Sequence, residues 1–252
     1  MAVNRDELVA YLNQQLNADK IRDFCPNGLQ VEGSDRIERI VCGVTASQAL
    51  IEHAVSSNAD ALLVHHGYFW KNEPQAIVGM KQRRIKRLLQ HEINLLAYHL
   101  PLDVHPDWGN NTQLAKLMDW QIEGPADAYD PACALVIGRC APQSSDAMAE
   151  ALAQRLQRPL TCYVPVDRQI TRLAWCTGGG QGFIDQAAAL GVDAFITGEV
   201  SEQTVHSARE QGIAFYAAGH HATERYGAKA LGEHLQQQFD LDVEFIDVDN
   251  PA

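Results

Sequence analysis

A repeat constrains this chain more than any other feature. Short apolar runs alternate with helical patterns, and the whole alternation occurs twice. Residues 40–44, 61–64 and 93–98 read as strands, with helices over 47–57 and about 82–90 between them. Residues 173–176, 194–197 and 213–217 repeat the strands, with helices over 183–190 and 203–210. Residues 37–66 can be laid on 170–199 without a gap. Ile37, Arg39, Gln48, Ile51, Ala54, Asp60 and Ala61 then meet Ile170, Arg172, Gln181, Ile184, Ala187, Asp193 and Ala194. Strands alternating with helices favour an α/β fold, and the match implies two βαβαβ halves with one ancestor. The stretch from Glu123-Gly124-Pro125 to Asp130-Pro131 is rich in turn formers and reads as a boundary. It gives a first α/β domain over 1–124 and a second over 125–252, with a C-terminal segment able to pack back on the first. Residues 133–166 read as strand, helix (146–156) and strand, and belong with the second half.

Composition narrows the chemistry. The 252 residues carry 20 Lys+Arg against 32 Asp+Glu, a formal charge of −12. Such a balance argues against a general duplex-DNA or RNA binder, which needs a cationic face for the phosphates. A small anionic substrate stays open, because a bound divalent metal reverses the field locally. No run approaches the roughly 20 apolar residues that span a bilayer. The opening MAVNRDELVAYLN lacks the cationic and apolar regions of a signal peptide, so a cytoplasmic protein without membrane contact is expected. The six cysteines include no C-x-x-C pair and read as small buried hydrophobes.

In parallel α/β sheets, ligands bind beyond the carboxyl ends of the strands. Here the imidazoles and carboxylates collect at those ends. His65 and His66 follow the 61–64 run, and His99 with Asp103 follows 93–98. His220, His221 and Glu224 follow 213–217. A single histidine at a strand end is usually a hydrogen-bonded packing residue, but three strand ends converging in kind point to a metal site. Imidazole with carboxylate and no thiolate suits zinc, iron, nickel or manganese. Five or six such donors exceed what one catalytic zinc takes. They suit two metals about 3.5–4 Å apart, bridged by a carboxylate and a water.

Several motifs together resemble the Nif-three-like family (Ngg-one-interacting factor three). They are Val64-His65-His66-Gly67, His99-Leu100-Pro101-Leu102-Asp103 and Gly219-His220-His221-Ala222-Thr223-Glu224. Asn27-Gly28-Leu29-Gln30-Val31, Gly109-Asn110-Asn111-Thr112-Gln113-Leu114-Ala115 and Asp193-Ala194-Phe195-Ile196-Thr197-Gly198-Glu199 fit the same family. The likeness covers nearly the whole chain and is nearest to short bacterial members of the YbgI type. It implies two related α/β domains with a dinuclear metal site between them, and a toroidal homohexamer. By position, the implied metal ligands are His65, His66, Asp103, His220 and Glu224, holding two divalent ions per subunit. His99 is placed beside the metals as the candidate proton carrier, and His221 falls where many relatives have Tyr. Phe24-Cys25 replaces a Trp-Asp pair common before the Asn-Gly-Leu-Gln motif.

Three further features carry two readings each. The loop Thr177-Gly178-Gly179-Gly180-Gln181-Gly182 could cradle a phosphate at a helix start, or could be a turn where backbones approach closely. Lys81, Arg83, Arg84, Lys86 and Arg87 read as a solvated helix face, or as a channel lining that attracts nucleotides or nucleic acid. Tyr68-Phe69-Trp70 reads as packing, at a wall of the metal pocket or a subunit contact, or more sharply as a platform for base stacking. His53, His91, His105, His206 and His234 receive no function.

Function divides between two accounts. The first is a metal-dependent hydrolase acting on a nucleotide or related phosphate-bearing small molecule. The family resemblance adds activity of the GTP cyclohydrolase 1 type 2 homologue kind, although no guanine-reading motif stands beside the ligands. The alternative is a protein that binds or delivers metal, or a scaffold for partners, without catalysis.

Overall fold

The computed structural model describes residues 2–252. β1 (Val3–Asn4) leads into α1 (Arg5–Gln15), whose first turn is capped by the Asn4 side chain accepting from the Asp6 and Glu7 amides. Next come β2 (Gly28–Val31), β3 (Arg36–Ile37), β4 (Arg39–Thr45), α2 (Gln48–Ser56), β5 (Ala61–His66), α3 (Gly79–Gln90), β6 (Asn94–Ala97) and the one-turn α4 (Leu100–Asp103). The chain continues with α5 (Asn110–Leu117), β7 (Gln121–Pro125), β8 (Val136–Gln143), α6 (Ser145–Leu156), β9 (Cys162–Val164) and β10 (Ile170–Cys176). It closes with α7 (Ile184–Ala189), β11 (Ala194–Thr197), α8 (Glu202–Gln211), β12 (Ala214–Ala217), α9 (His220–Phe239) and β13 (Asp242–Phe245). Two compact units result. One runs to Trp108 and takes in Gly227–Asp249, and the other comprises Gly109–Tyr226 and Asn250–Ala252.

The first unit is built on a five-stranded sheet in the order β13-β4-β5-β6-β2, parallel except for β2. Successive strand residues point to opposite faces, and both faces are apolar. Ile40, Cys42, Leu63 and Leu96 pack with Leu8 and Leu12 of α1 and Leu231 and Leu235 of α9. Val41, Leu62, Val64 and Leu95 pack with Leu50 and Ile51 of α2 and Ile85 and Leu88 of α3. Burial on both faces is why β4 and β5 read as unbroken apolar runs. Two histidines without a predicted function serve this packing. His105 stacks on Trp108 at 4.3 Å, and His234 lies 4.1 Å from Trp108 with its Nε2 2.6 Å from the Tyr11 hydroxyl.

The second unit carries a six-stranded sheet, β7-β8-β10-β11-β12-β9, in which β10, β11 and β12 are parallel. One face packs Leu173, Trp175, Ile196 and Tyr216 against Met148, Leu152 and Leu156 of α6. The buried Asn111 ties α5 to this sheet. Its carbonyl accepts from Trp175 Nε1 and its side-chain oxygen from the Thr177 amide, each at 3.0 Å. Residues 123–125, expected among turns, form the end of β7. A register shift between Ile122 and Gly124 and a proline at an edge let this turn-like composition pair with β8.

The repeat read from the sequence reappears as register. Ile40 pairs with Ala61 as Leu173 pairs with Ala194, and the third strand of each trio, β6 or β12, is flanked by an antiparallel strand that precedes the trio. Asp60 Oδ2 accepts the amides of Glu38 and Arg39 at 2.8 and 2.9 Å. Its counterpart Asp193 Oδ2 accepts those of Thr171 and Arg172 at 3.0 and 2.9 Å. The units diverge at the other edge, where β13 joins β4 in parallel and β8 joins β10 antiparallel. No disulfide joins any of the six cysteines, and burial pushes the Cys42 thiol up to about 12, so it acts as a small hydrophobe. No helix among the described residues is long and apolar enough to cross a membrane. Because Asp60 and Asp193 fill one role, Asp60→Ala and Asp193→Ala should each cost about 1–3 kcal/mol in chemical denaturation. A large cost at one and none at the other would contradict the equivalence.

Candidate metal centre

β5 ends in the site. His65 is fully buried, and its Nδ1 lies 3.0 Å from the carbonyl of Tyr98, at the end of β6. A carbonyl only accepts, so Nδ1 carries the hydrogen and Nε2 is the basic nitrogen. That Nε2 is 3.4 Å from Oδ1 of Asp103, itself buried. Asp103 reaches this position because α4 folds one turn straight after His99, with the Asp103 amide donating to the His99 carbonyl at 3.1 Å. His66, more exposed, has its Nδ1 3.2 Å from the Thr45 hydroxyl at the end of β4. The rings of His65 and His66 are 4.5 Å apart, and His99 is 5.1 Å from His65. Each of the three histidines offers a nitrogen within 4.8 Å of the others. Gly67 follows because a Cβ there would run into the Gln30 amide, whose oxygen accepts from the Tyr68 amide at 2.6 Å.

The second unit repeats the device at the start of α9. His220 and Glu224, four residues apart on one helix face, set Nε2 3.1 Å from Oε2. Glu199, just past β11, accepts from His220 Nδ1 at 2.7 Å, and Gln181 donates to its other oxygen at 3.0 Å. Burial works against charge on the His220 ring. The hydrogen bonds and charges of Glu224 and Glu199 outweigh it and push the pKa up to about 9. His221 is the next residue of α9 and belongs to none of the clusters able to hold a metal among the described residues.

The Gly-rich loop serves this pair. A Cβ on Gly178, which has φ +65°, would collide with the Glu224 carboxylate. The Gly178 and Gly180 amides donate to the hydroxyls of Thr223 and Thr197 at 2.9 and 3.0 Å. With those donors committed and two glutamates alongside, the close-approach reading holds over the phosphate cradle. The basic run of α3 is likewise tied up in part. Lys81 is buried, 3.4 Å from Glu73 and over the Phe69 ring, and Arg87 is 2.9 Å from Glu52. Trp70 forms the aromatic wall, its ring 4.9 Å from that of His99 and 6.0 Å from that of His66.

The donors fit a metal. Two ligands about 2.1 Å from one ion stand about 3.0–3.4 Å apart, depending on geometry. The Nε2-to-carboxylate separations of 3.4 Å at His65 and 3.1 Å at His220 fall in or close to that range. Both rings are also gripped at Nδ1 by an acceptor, the arrangement that fixes a ligating imidazole and raises its basicity.

Two residues of the site escaped the sequence reading. Glu199 stands in a family motif but outside the ligand set, although the repeat lays it on His66 and it follows a strand end of the second half. Asp23, bonded to His99 Nδ1 at 2.7 Å, left no signal, since only the tertiary fold brings the two together.

Residues 3–251 match the model of the Duf34/NIF3 (NGG1p interacting factor 3) family. The chain belongs to this family. Among its relatives, a Yersinia pestis protein named GTP cyclohydrolase 1 type 2 homolog is 58% identical over 98% of both chains. A protein of the same name from Escherichia coli K12 is 55% identical over 98% of both. Two solved structures align throughout. The protein ybgI, described as of unknown function, gives a TM-score of 0.95 at 52% identity, covering 99% of this chain and 100% of its own. TTHA1606 from Thermus thermophilus gives 0.89 at 33%, with the same coverage.

In the metal-free chain, the raised His220 pKa adds stability in full below its ordinary value of 6.5, and this is lost as pH rises through about 9. NMR titration of the ring should show a midpoint near 9 that falls in Glu224→Gln. A midpoint at or below 6.5 would contradict the His220–Glu224 pairing.

Proposed function

We propose that this Duf34/NIF3 protein is a dinuclear metal-dependent hydrolase of a nucleotide or another small phosphate-bearing molecule. In this reading His65, His66, Asp103, His220 and Glu224 hold two divalent ions per subunit, drawn from zinc, iron, manganese or nickel. The observation that carries it is the duplicated pairing. A histidine held at Nδ1 turns its Nε2 to a buried carboxylate in each unit, His65 to Asp103 and His220 to Glu224. Five donors suit two ions better than one. The relatives' name, GTP cyclohydrolase 1 type 2 homolog, supports a nucleotide as substrate class. The family resemblance adds a homohexameric ring as the assembled form.

Bound metal lowers the pKa of water and polarises the bond to be cut. The residues supply the rest. Tyr98 and Glu199 hold the His65 and His220 rings in place, and the carboxylates of Asp103 and Glu224 balance positive charge. Trp70 lies against the His66 and His99 rings. His99 stands beside the ligands to move a proton.

Metal content of the tag-free chain, read by plasma mass spectrometry, should be near two equivalents and fall in His65→Ala and Glu224→Ala. Turnover of a nucleotide and phosphate-ester panel should fall by at least about 10²-fold in the same variants. Content well below one equivalent, unmoved by the substitutions or by added zinc, manganese, nickel or iron, would defeat the metal reading. Two equivalents without turnover would transfer the function to metal holding or delivery.

A further inference from the structure

Asp23 lies in the loop before β2, and its side chain is 2% exposed. N–H donors occupy both of its oxygens. Oδ1 accepts from the Phe24 amide at 2.6 Å and from His99 Nδ1 at 2.7 Å. Oδ2 accepts from the Asn27 side chain and the Leu100 amide, each at 2.9 Å. A carboxylate loaded in this way carries no proton, so the hydrogen it shares with His99 sits on Nδ1. Asn27 adds a second tie, its Oδ1 accepting the His99 backbone amide at 2.7 Å. Backbone and ring of His99 are therefore both fixed by one short loop, and Nε2 is the ring's basic nitrogen.

A competing use of this corner is a further metal site, because Asp23, Cys25 and His99 offer ligand atoms within 4.8 Å of one another. The Asp23 oxygens oppose it, because they are already engaged by four donors.

We propose that Asp23 is a positioning residue that locks His99 in the Nδ1–H tautomer and thereby makes Nε2 the proton acceptor beside the ligand cluster. The proton-carrying role rests on the hydrolase reading above; the tautomer lock does not. As the attacking water forms its bond to the substrate, Nε2 takes one of its protons and the ring becomes a cation, stabilised by the Asp23 carboxylate. When the bond to the leaving group breaks, the same nitrogen delivers that proton to it, and the ring returns to its starting state.

The test is long-range ¹H–¹⁵N NMR of the histidine rings in the full chain, metal-free and zinc-loaded, with His99→Gln to assign the signal. The wild-type His99 should show a protonated Nδ1 and a bare Nε2 in both states. Asp23→Ala should move the ring toward Nε2–H while metal content stays within about 20% of wild type. The wild-type spectrum is decisive by itself if Asp23→Ala does not fold. An Nε2–H ring in wild type, an Nε2 signal shifted by zinc coordination, or an unchanged tautomer in folded Asp23→Ala would each overturn the proposal. So would loss of a metal equivalent in Asp23→Ala or Cys25→Ser, which would make the corner a metal site. Full metal content in His65→Ala with the Nδ1–H pattern intact would remove the hydrolase reading and the proton role while leaving the lock in place.

Discussion

A buried imidazole can serve a metal or a proton only when its orientation and tautomer are fixed, and here that is done from behind the ring. Tyr98 O, Glu199 and Asp23 each hold the Nδ1 of one histidine, at 3.0, 2.7 and 2.7 Å. The consequence is the same each time: Nε2 becomes the working atom. For His65 and His220 it looks onto a carboxylate. For His99, as for His220, the backing group is a charged carboxylate rather than the neutral carbonyl behind His65, which favours a ring that can take up charge.

The fold supplies these acceptors because parallel strands end together. β5 delivers His65 and His66, β6 delivers Tyr98 and then His99, and α4 swings Asp103 back to His65. In the duplicated unit β11 ends next to Glu199 and β12 next to His220. Asp60 and Asp193 fasten the opposite ends of the same strand pairs with matching hydrogen bonds, which keeps the two registers alike. The two units share this strand-end arrangement, while the residues placed there differ, His66 in one and Glu199 in the other. One unit offers mainly imidazole and the other a histidine between two glutamates.

Much of this was legible in the sequence, for physical reasons that can be named. The central strands are buried on both faces and therefore show as apolar runs, and the gapless match of 37–66 with 170–199 anticipated their shared register. The strand-end rule found His65, His66, His99, Asp103, His220 and Glu224 because each stands within a few residues of such a run. The rule fell short where the backing atoms come from elsewhere. Asp23 sits in a loop far along the chain from His99, and the Tyr98 carbonyl is a backbone atom that no motif marks. The Gly178 loop kept two readings for a related reason. A phosphate cradle and a close approach both call for glycine, and only the Thr223 and Thr197 hydroxyls on its amides tell them apart. β7 was hidden by its Gly-Pro ending, which an edge strand tolerates.

In the proposed centre the held histidines present Nε2 to a pair of ions. Anomalous diffraction from crystals of the metal-loaded protein tests this most directly. Two peaks about 3.5–4 Å apart are expected, with Nε2 of His65 and of His220 among the ligands and Nδ1 of each still on Tyr98 O and Glu199. A single peak, ligation through Nδ1, or metal bound only away from these residues would contradict it.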